Sequence, residues 1–339
     1  MTVGIGSAAD FMDNNNPDDS QAAWSDYWDG DSEDSDQALG HPTHARRLKA
    51  RWESLFSDEF AARSGRVRLL DAACGTGVVA GAASRAARAF PGLDLEILLT
   101  DFAGSAVAAA LAKPGLAGAC GFAADAAHLP VRGASLDLVV SQFGIEYAGE
   151  GAFERVASLV AAGGALHAVV HLQDGEIYRE CSENLRVLDA ITELGVLSGF
   201  VGLFTAIRGG ENESRVAKLA QAASAAGDRI GDVLASAQPG AARQHASRLL
   251  SDMQHVLNRP AAFRAEDIRI WADGQSANIE TYRLRMASML GAAKDEGEME
   301  ALAGQLKTSG FTDISLERFR TLDDARNIAW MLTARRDPE

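Results

Sequence analysis

The chain has 339 residues, 47% hydrophobic and 23% charged, with a formal net charge of −15. That length and balance describe an ordinary soluble protein with a sizeable core. No run approaches the ~18 apolar residues of a membrane span, and the N-terminus lacks the basic-then-apolar pattern of a secretory signal. Ten Asp or Glu and no Lys or Arg fall in residues 1–40, so two thirds of the negative charge sits there. The remainder is only mildly acidic, and no field attracting nucleic acid is expected.

Residues 1–20 are rich in Asp, Asn and Ser and read as disordered. Trp24-Ser-Asp-Tyr-Trp28 follows, an aromatic cluster inside an acidic tail that extends to about residue 40. It reads either as a lid that docks on the domain or as a loose surface anchor. His44 to Phe60 places Leu48, Trp52, Leu55 and Phe56 at helical spacing. Strands and helices then alternate. Strands are expected over Val67–Leu70, Leu93–Thr100, Gly121–Ala124, Leu136–Gln142 and Ala165–His171. Helices are expected over Val78–Ala89, Ser105–Ala112 and Glu150–Ala161, with Ala162-Gly-Gly164 as the turn into the fifth strand. Such alternation implies a parallel sheet covered on both faces.

From about residue 173 to 295 the pattern is helical throughout. Leu185, Leu188, Ile191 and Leu194 form one stripe, and Leu249, Leu250, Met253, Val256 and Leu257 a second. A third runs from Ile268 through Trp271, Gln275, Ile279, Tyr282 and Met286 to Met289. Each stripe reads first as core. The whole segment leaves from the carboxyl end of a strand, where ligands bind in open α/β sheets, so a substrate-enclosing cap and a homodimer surface are both open. A helix over Glu298–Thr308, a Gly310-Phe311 turn and strands over Asp313–Arg318 and Ile328–Thr333 close the chain. Cys74, Cys120 and Cys181 show no metal spacing and no even disulfide set. No metal is expected, and a reducing cytoplasm is the default.

The most informative stretch is Asp71-Ala-Ala-Cys-Gly-Thr-Gly77, which joins the first strand to the first crossover helix. Small residues there admit a ligand close to the backbone, and the helix start offers free N–H groups. Gly75-Thr-Gly-Val-Val-Ala80 also fits a dinucleotide fingerprint, with Asp101 at the distance of a ribose acid. Asp71 argues against a nicotinamide cofactor, because an acid there would sit near the pyrophosphate.

The stretch resembles the first motif of class I S-adenosylmethionine (SAM) dependent methyltransferases, Asp-x-Gly-x-Gly-x-Gly, with Ala73 in place of the first glycine. The closing helix, Gly-Phe turn and two strands resemble that family's C-terminus. The resemblance covers about residues 44–172 and 296–335. It implies an α/β, doubly wound, Rossmann-like sheet of seven strands, with a C-terminal antiparallel pair. The cofactor core would span 41–172 and 296–339, with the helical insertion of 173–295 between strands 5 and 6.

By motif position the resemblance assigns Asp71, Ala73, Gly75 and Gly77 to the methionine half of SAM. It assigns Asp101 to the ribose hydroxyls, Phe102 and Ala126 to adenine, Asp125 to the adenine amine, and Ser141 and Gln142 to the region beneath the methyl group. Glu154-Arg-Val156 with Ala162-Gly-Gly164 looks like the family's Glu-Arg-Val … Pro-Gly-Gly run. Candidate bases at the carboxyl edge are His171 first, then Glu146 and Tyr147; His128 reads as surface. Ser141-Gln-Phe-Gly144 lacks the Asn/Asp-Pro-Pro-Tyr/Phe pattern that holds a planar amine. It is more similar to the small-molecule branch, which implies a small-molecule acceptor. The alternatives are a protein or RNA methyltransferase docking through the insertion, and a SAM-fold binding protein without transfer activity.

Overall fold

The computed structural model describes residues 22–25, 27, 42–320 and 326–338. Residues 1–20, expected to be disordered, and Trp28 lie outside the described residues. The elements run α1 (Pro42–Ala61), β1 (Gly65–Ala72), α2 (Val78–Ala87), β2 (Leu93–Asp101), α3 (Gly104–Leu111), β3 (Cys120–Ala123), β4 (Leu136–Gln142), α4 (Ala152–Ala157) and β5 (Val160–His171). Helices α5 (Glu176–Glu193), α6 (Val196–Arg208), α7 (Glu213–Ser236), α8 (Ala241–Asn258), α9 (Ala265–Ala292) and α10 (Glu296–Thr308) follow. Strands β6 (Phe311–Arg320) and β7 (Asn327–Arg336) end the series.

The seven strands form one sheet in the order β3-β2-β1-β4-β5-β7-β6. β1 to β5 are parallel, and β7 runs antiparallel to both β5 and β6. The sheet therefore has the doubly wound order with the closing antiparallel pair that the family resemblance implies. β1 and β4 lie side by side at its centre, where the strand order reverses. That reversal opens a crevice at their carboxyl ends. Val67, Leu69, Leu70, Leu138, Val139 and Val140 are buried, as expected of strands covered on both faces.

Two expectations change. The helix predicted over Glu150–Ala161 is only Ala152–Ala157, and β5 begins at Val160. Val160 pairs with Leu136, and Ala165 with Leu138, so the intervening residues bulge out of register. Ala162-Gly-Gly164 is thus a bulge inside β5 and not a turn before it. Gly163 has φ 72°, and a Cβ on Gly164 would lie 2.9 Å from the carbonyl oxygens of both Ala161 and Asp137. Only glycine fits there. The absence of any span-length apolar run also needs correction. Glu176–Arg208 is long and apolar enough to cross a membrane by length and composition. Gly195, with φ 57°, divides it into α5 and α6, and Val196, Phe200, Leu203 and Phe204 of α6 are buried in the protein.

The chain divides into a sheet unit, which takes in the described residues up to Tyr178 and those from Met289, and a helical unit, Arg179–Ser288. The boundaries fall within α5 and α9, inside the expected 173–295. Within the helical unit, Phe200 meets Trp271 edge-on, and Arg283 donates to Asp189 at 2.6 Å.

Helix α1 anchors one face of the sheet unit. Trp52, Phe56 and Phe60 stack in series at 5.6 and 5.7 Å and are almost wholly buried. One turn away, the buried Glu59 meets His167 Nε2 at 3.2 Å and also pairs with Arg63 and Arg335. Burial pushes its pKa up, but the hydrogen bond and charge of His167, with the two guanidinium groups, outweigh this and hold it at about 2. The folded value lies below the ordinary 4.5. The cluster therefore stabilises the fold above pH ~4.5 and loses that contribution as pH falls toward 2. Glu59→Gln is expected to cost about 3 kcal/mol at pH 7, with the deficit shrinking below pH 4, measured by urea denaturation across pH.

Candidate active site

The β1–α2 turn is built by backbone hydrogen bonds to the end of β2. Cys74 N donates to Thr100 O at 2.8 Å, and Gly75 N donates to Asp101 Oδ2 at 2.8 Å. Ala73 and Gly75 both adopt left-handed backbone, with φ 53° and 48°. Alanine rarely does so, and such strain concentrates at functional sites. The turn opens onto a cavity of about 190 Å³ at the carboxyl ends of the parallel strands.

Eight of the ten residues assigned to the cofactor line this cavity: Asp71, Ala73, Gly75, Asp101, Phe102, Asp125, Ala126 and Gln142. Asp71 is buried, and its Oδ2 accepts from Ala80 N at 2.9 Å in the first turn of α2. Burial, reinforced by the charge of Asp101, pushes its pKa up to about 8 against that single donor. Asp101 accepts from Gly75 N and Ala103 N, yet burial still raises its pKa. Asp125 caps the short turn Ala126–His128 through Ala127 N at 2.8 Å. Each carboxylate offers about four lone-pair sites, so capacity remains for a ligand. No Lys or Arg lines the cavity. Phe102 is 49% exposed on its wall, an apolar face that a flat ligand would cover.

Gly77 and Ser141 do not line the cavity. Gly77 has φ 75°, and a Cβ there would lie 2.8 Å from Leu116 Cδ1 and 3.0 Å from Ala110 Cβ. It brings α2 close to its neighbours and does not face a ligand. Ser141 is buried beneath the cavity, and its Oγ has no hydrogen-bond partner among the described residues.

Of the candidate bases, His171 and Tyr147 line the cavity and Glu146 does not. Glu146 is buried, with its pKa raised by burial to about 7, and its Oε1 accepts from His171 N at 3.0 Å. It therefore holds the backbone at the end of β5. The His171 ring stacks on Phe143 at 4.3 Å and meets Tyr147 edge-on at 5.7 Å. Burial pushes its pKa down to about 3, so the imidazole is neutral at pH 7. Neither ring nitrogen has a hydrogen-bond partner among the described residues. Asp125 Oδ2 lies 3.3 Å from Nδ1 of His128, whose side chain is exposed, in keeping with a surface role.

Several lining residues were not singled out as site residues in the sequence. Phe143 has φ 54° and turns its ring toward His171. Gly144 leaves no space for a side chain, since a Cβ there would lie 2.3 Å from Ala73 Cβ. Met289 belongs to a stripe that reads as insertion core, and only its packing reveals it. Trp24, from the helical residues 22–25, meets Tyr147 edge-on at 5.6 Å. Trp52 reads as core, yet its indole N–H donates to Gln142 Oε1 at 2.7 Å and fixes that amide at the cavity edge.

Residues 70–168 match a family model described as a methyltransferase domain. No curated protein matches. A Haloferax volcanii structure containing the Trm112 methyltransferase activator is 21% identical; 42% of this chain covers 62% of that one, with TM-score 0.30. Haemonchus contortus phosphoethanolamine N-methyltransferase 1, in complex with phosphoethanolamine and S-adenosylhomocysteine, is 20% identical; 47% of this chain covers 34% of that one, with TM-score 0.35. The chain thus spans less than two thirds of either. The plantazolicin methyltransferase BpumL, in complex with S-adenosylhomocysteine, is 11% identical; 98% of this chain covers all of that one, with TM-score 0.46.

Ala73 and Gly144 share one space. Gly144→Ala is expected to destabilise the protein by about 2 kcal/mol through the clash with the Ala73 methyl. Ala73→Gly removes that methyl and the strained φ, so it should recover at least half of the loss. A double-mutant cycle by denaturant unfolding measures the coupling, expected above ~1 kcal/mol.

Proposed function

We propose, from the premise that this chain carries a class I SAM-dependent methyltransferase domain, that the protein methylates a small-molecule acceptor. The observation that carries this reading is the pair of buried acids, Asp71 and Asp101, in a cavity without a lining Lys or Arg. Two carboxylates in a low-dielectric wall favour a cationic ligand. The residues fit the cofactor. Asp71 would meet its ammonium group, Asp101 the ribose hydroxyls, and Phe102 and Ala126 the adenine. The strained Ala73–Gly75 turn leaves room for the methionine backbone. When bound, SAM supplies an already activated methyl group, so positioning and exclusion of water supply much of the catalysis.

A small acceptor is favoured over a macromolecule by the surface of the helical unit. Arg186, Arg215, Arg264 and Arg283 there each pair with a neighbouring carboxylate, which offsets part of its positive charge.

Calorimetric titration with S-adenosylhomocysteine at pH 7 tests the reading. Asp71 is largely protonated beforehand, because its pKa of about 8 lies above the working pH. An arriving ammonium lowers that value. Binding should therefore release up to one proton, seen as a heat that varies with the buffer's ionisation enthalpy. Asp71→Asn should abolish the release, and Asp101→Ala should weaken binding more than tenfold. NADH should not bind. A folded protein that ignores S-adenosylhomocysteine would overturn the proposal.

A further inference from the structure

The cavity has two chemically different ends. The ends of β1, β2 and β3 bring carboxylates, while the ends of β4 and β5 bring rings. His171 contacts both Phe143 and Tyr147, Trp24 meets Tyr147, and Met289 and Ala148 complete the lining. No charged side chain lines this second end. His171 is 4% exposed, and neither ring nitrogen makes a hydrogen bond among the described residues. A buried polar group without a partner is costly unless a ligand meets it.

We infer that the acceptor is a flat, uncharged aromatic molecule bearing an O–H or N–H, which stacks among Trp24, Phe143 and Tyr147 and donates its hydrogen bond to the His171 imidazole. This inference rests on the methyltransferase reading and names the substrate class for the same site. Flat rings are held by aromatic walls through area and edge-to-face contacts. An anionic acceptor would bring a carboxylate or phosphate into a wall with no cation to meet it, beside three acids.

The transfer balances with these groups. The acceptor's oxygen or nitrogen forms the bond to the methyl carbon, the carbon–sulfur bond breaks, and its electron pair stays on sulfur. The acceptor's proton passes to a His171 nitrogen. One positive charge leaves the sulfonium as one appears on the imidazolium, so the step leaves the site's net charge unchanged.

Fluorescence titration of the protein saturated with S-adenosylhomocysteine tests this. The probes are 7-hydroxycoumarin, its 3-carboxylic acid, 7-methoxycoumarin and phenethylamine. 7-Hydroxycoumarin should bind at least tenfold tighter than its 3-carboxylate and than phenethylamine. Trp24→Ala should weaken it about tenfold. His171→Phe should remove the preference for the hydroxy over the methoxy compound while leaving methoxy binding in place, a split that loss of packing alone would not give. With SAM, 7-methoxycoumarin should form, and His171→Phe should lower kcat more than it raises KM. S-Adenosylhomocysteine binding by each variant reports the fold and the cofactor site separately. Retained cofactor binding with equal or tighter binding of the carboxylate or the amine, or with no binding of 7-hydroxycoumarin, would overturn the acceptor class and leave the methyltransferase reading standing. Loss of cofactor binding in the folded parent protein would overturn both.

Discussion

A buried carboxylate must find donors or a cation, and the cofactor end of this protein is organised around that requirement. Asp71, Asp101 and Asp125 stand at or just after the ends of three strands, and each accepts backbone N–H groups: Asp71 from Ala80, Asp101 from Gly75 and Ala103, and Asp125 from Ala127. Those bonds tie the turns in place. They do not offset the burial of Asp71, whose pKa stays near 8. The same acids are therefore structural caps and an unfilled demand for positive charge. A carboxylate has enough lone pairs to cap a turn and still accept from a ligand.

The glycine turn follows from the same demand. Cys74 N and Gly75 N reach the end of β2 only if Ala73 and Gly75 adopt left-handed backbone. Ala73 carries a methyl group that this conformation tolerates poorly, and Gly144 opposite gives it room. The space at this contact holds one side chain, and it does not matter to the packing which strand end supplies it. A glycine missing from the first motif is thus matched by a glycine kept at the end of β4.

Much of this was legible in the sequence for a simple reason. Strand-end acids and turn glycines act through their own backbone neighbourhood, so their linear order already carries their geometry. The parallel part of the sheet followed from strand–helix alternation, and its closing antiparallel pair from the family resemblance. What escaped depends on distant packing. Met289 lies far along the chain from the first motif and reads as one more apolar position on a helix. Trp52 shows a core pattern in α1, and its hydrogen bond to Gln142 joins residues on different elements. Glu146 has the right position for a base, but its carboxylate turns inward to the backbone of His171. The bulge in β5 was hidden because a Gly-Gly pair marks a turn and a bulge equally well, and only pairing with β4 distinguishes them.

The two ends of the cavity differ in how they are held, and that difference bears on how the site can change. At the cofactor end the ligand-facing atoms are fixed by main-chain hydrogen bonds, so a substitution there disturbs the turn as well as the contact. At the other end the side chains meet as rings, with Glu146 securing only the backbone beneath His171. Ring contacts are individually small and tolerate replacement by another flat or apolar side chain. Under the methyltransferase reading, the acid-lined end is therefore the more constrained of the two, and the ring-lined end is where a change of side chain disturbs the main chain least.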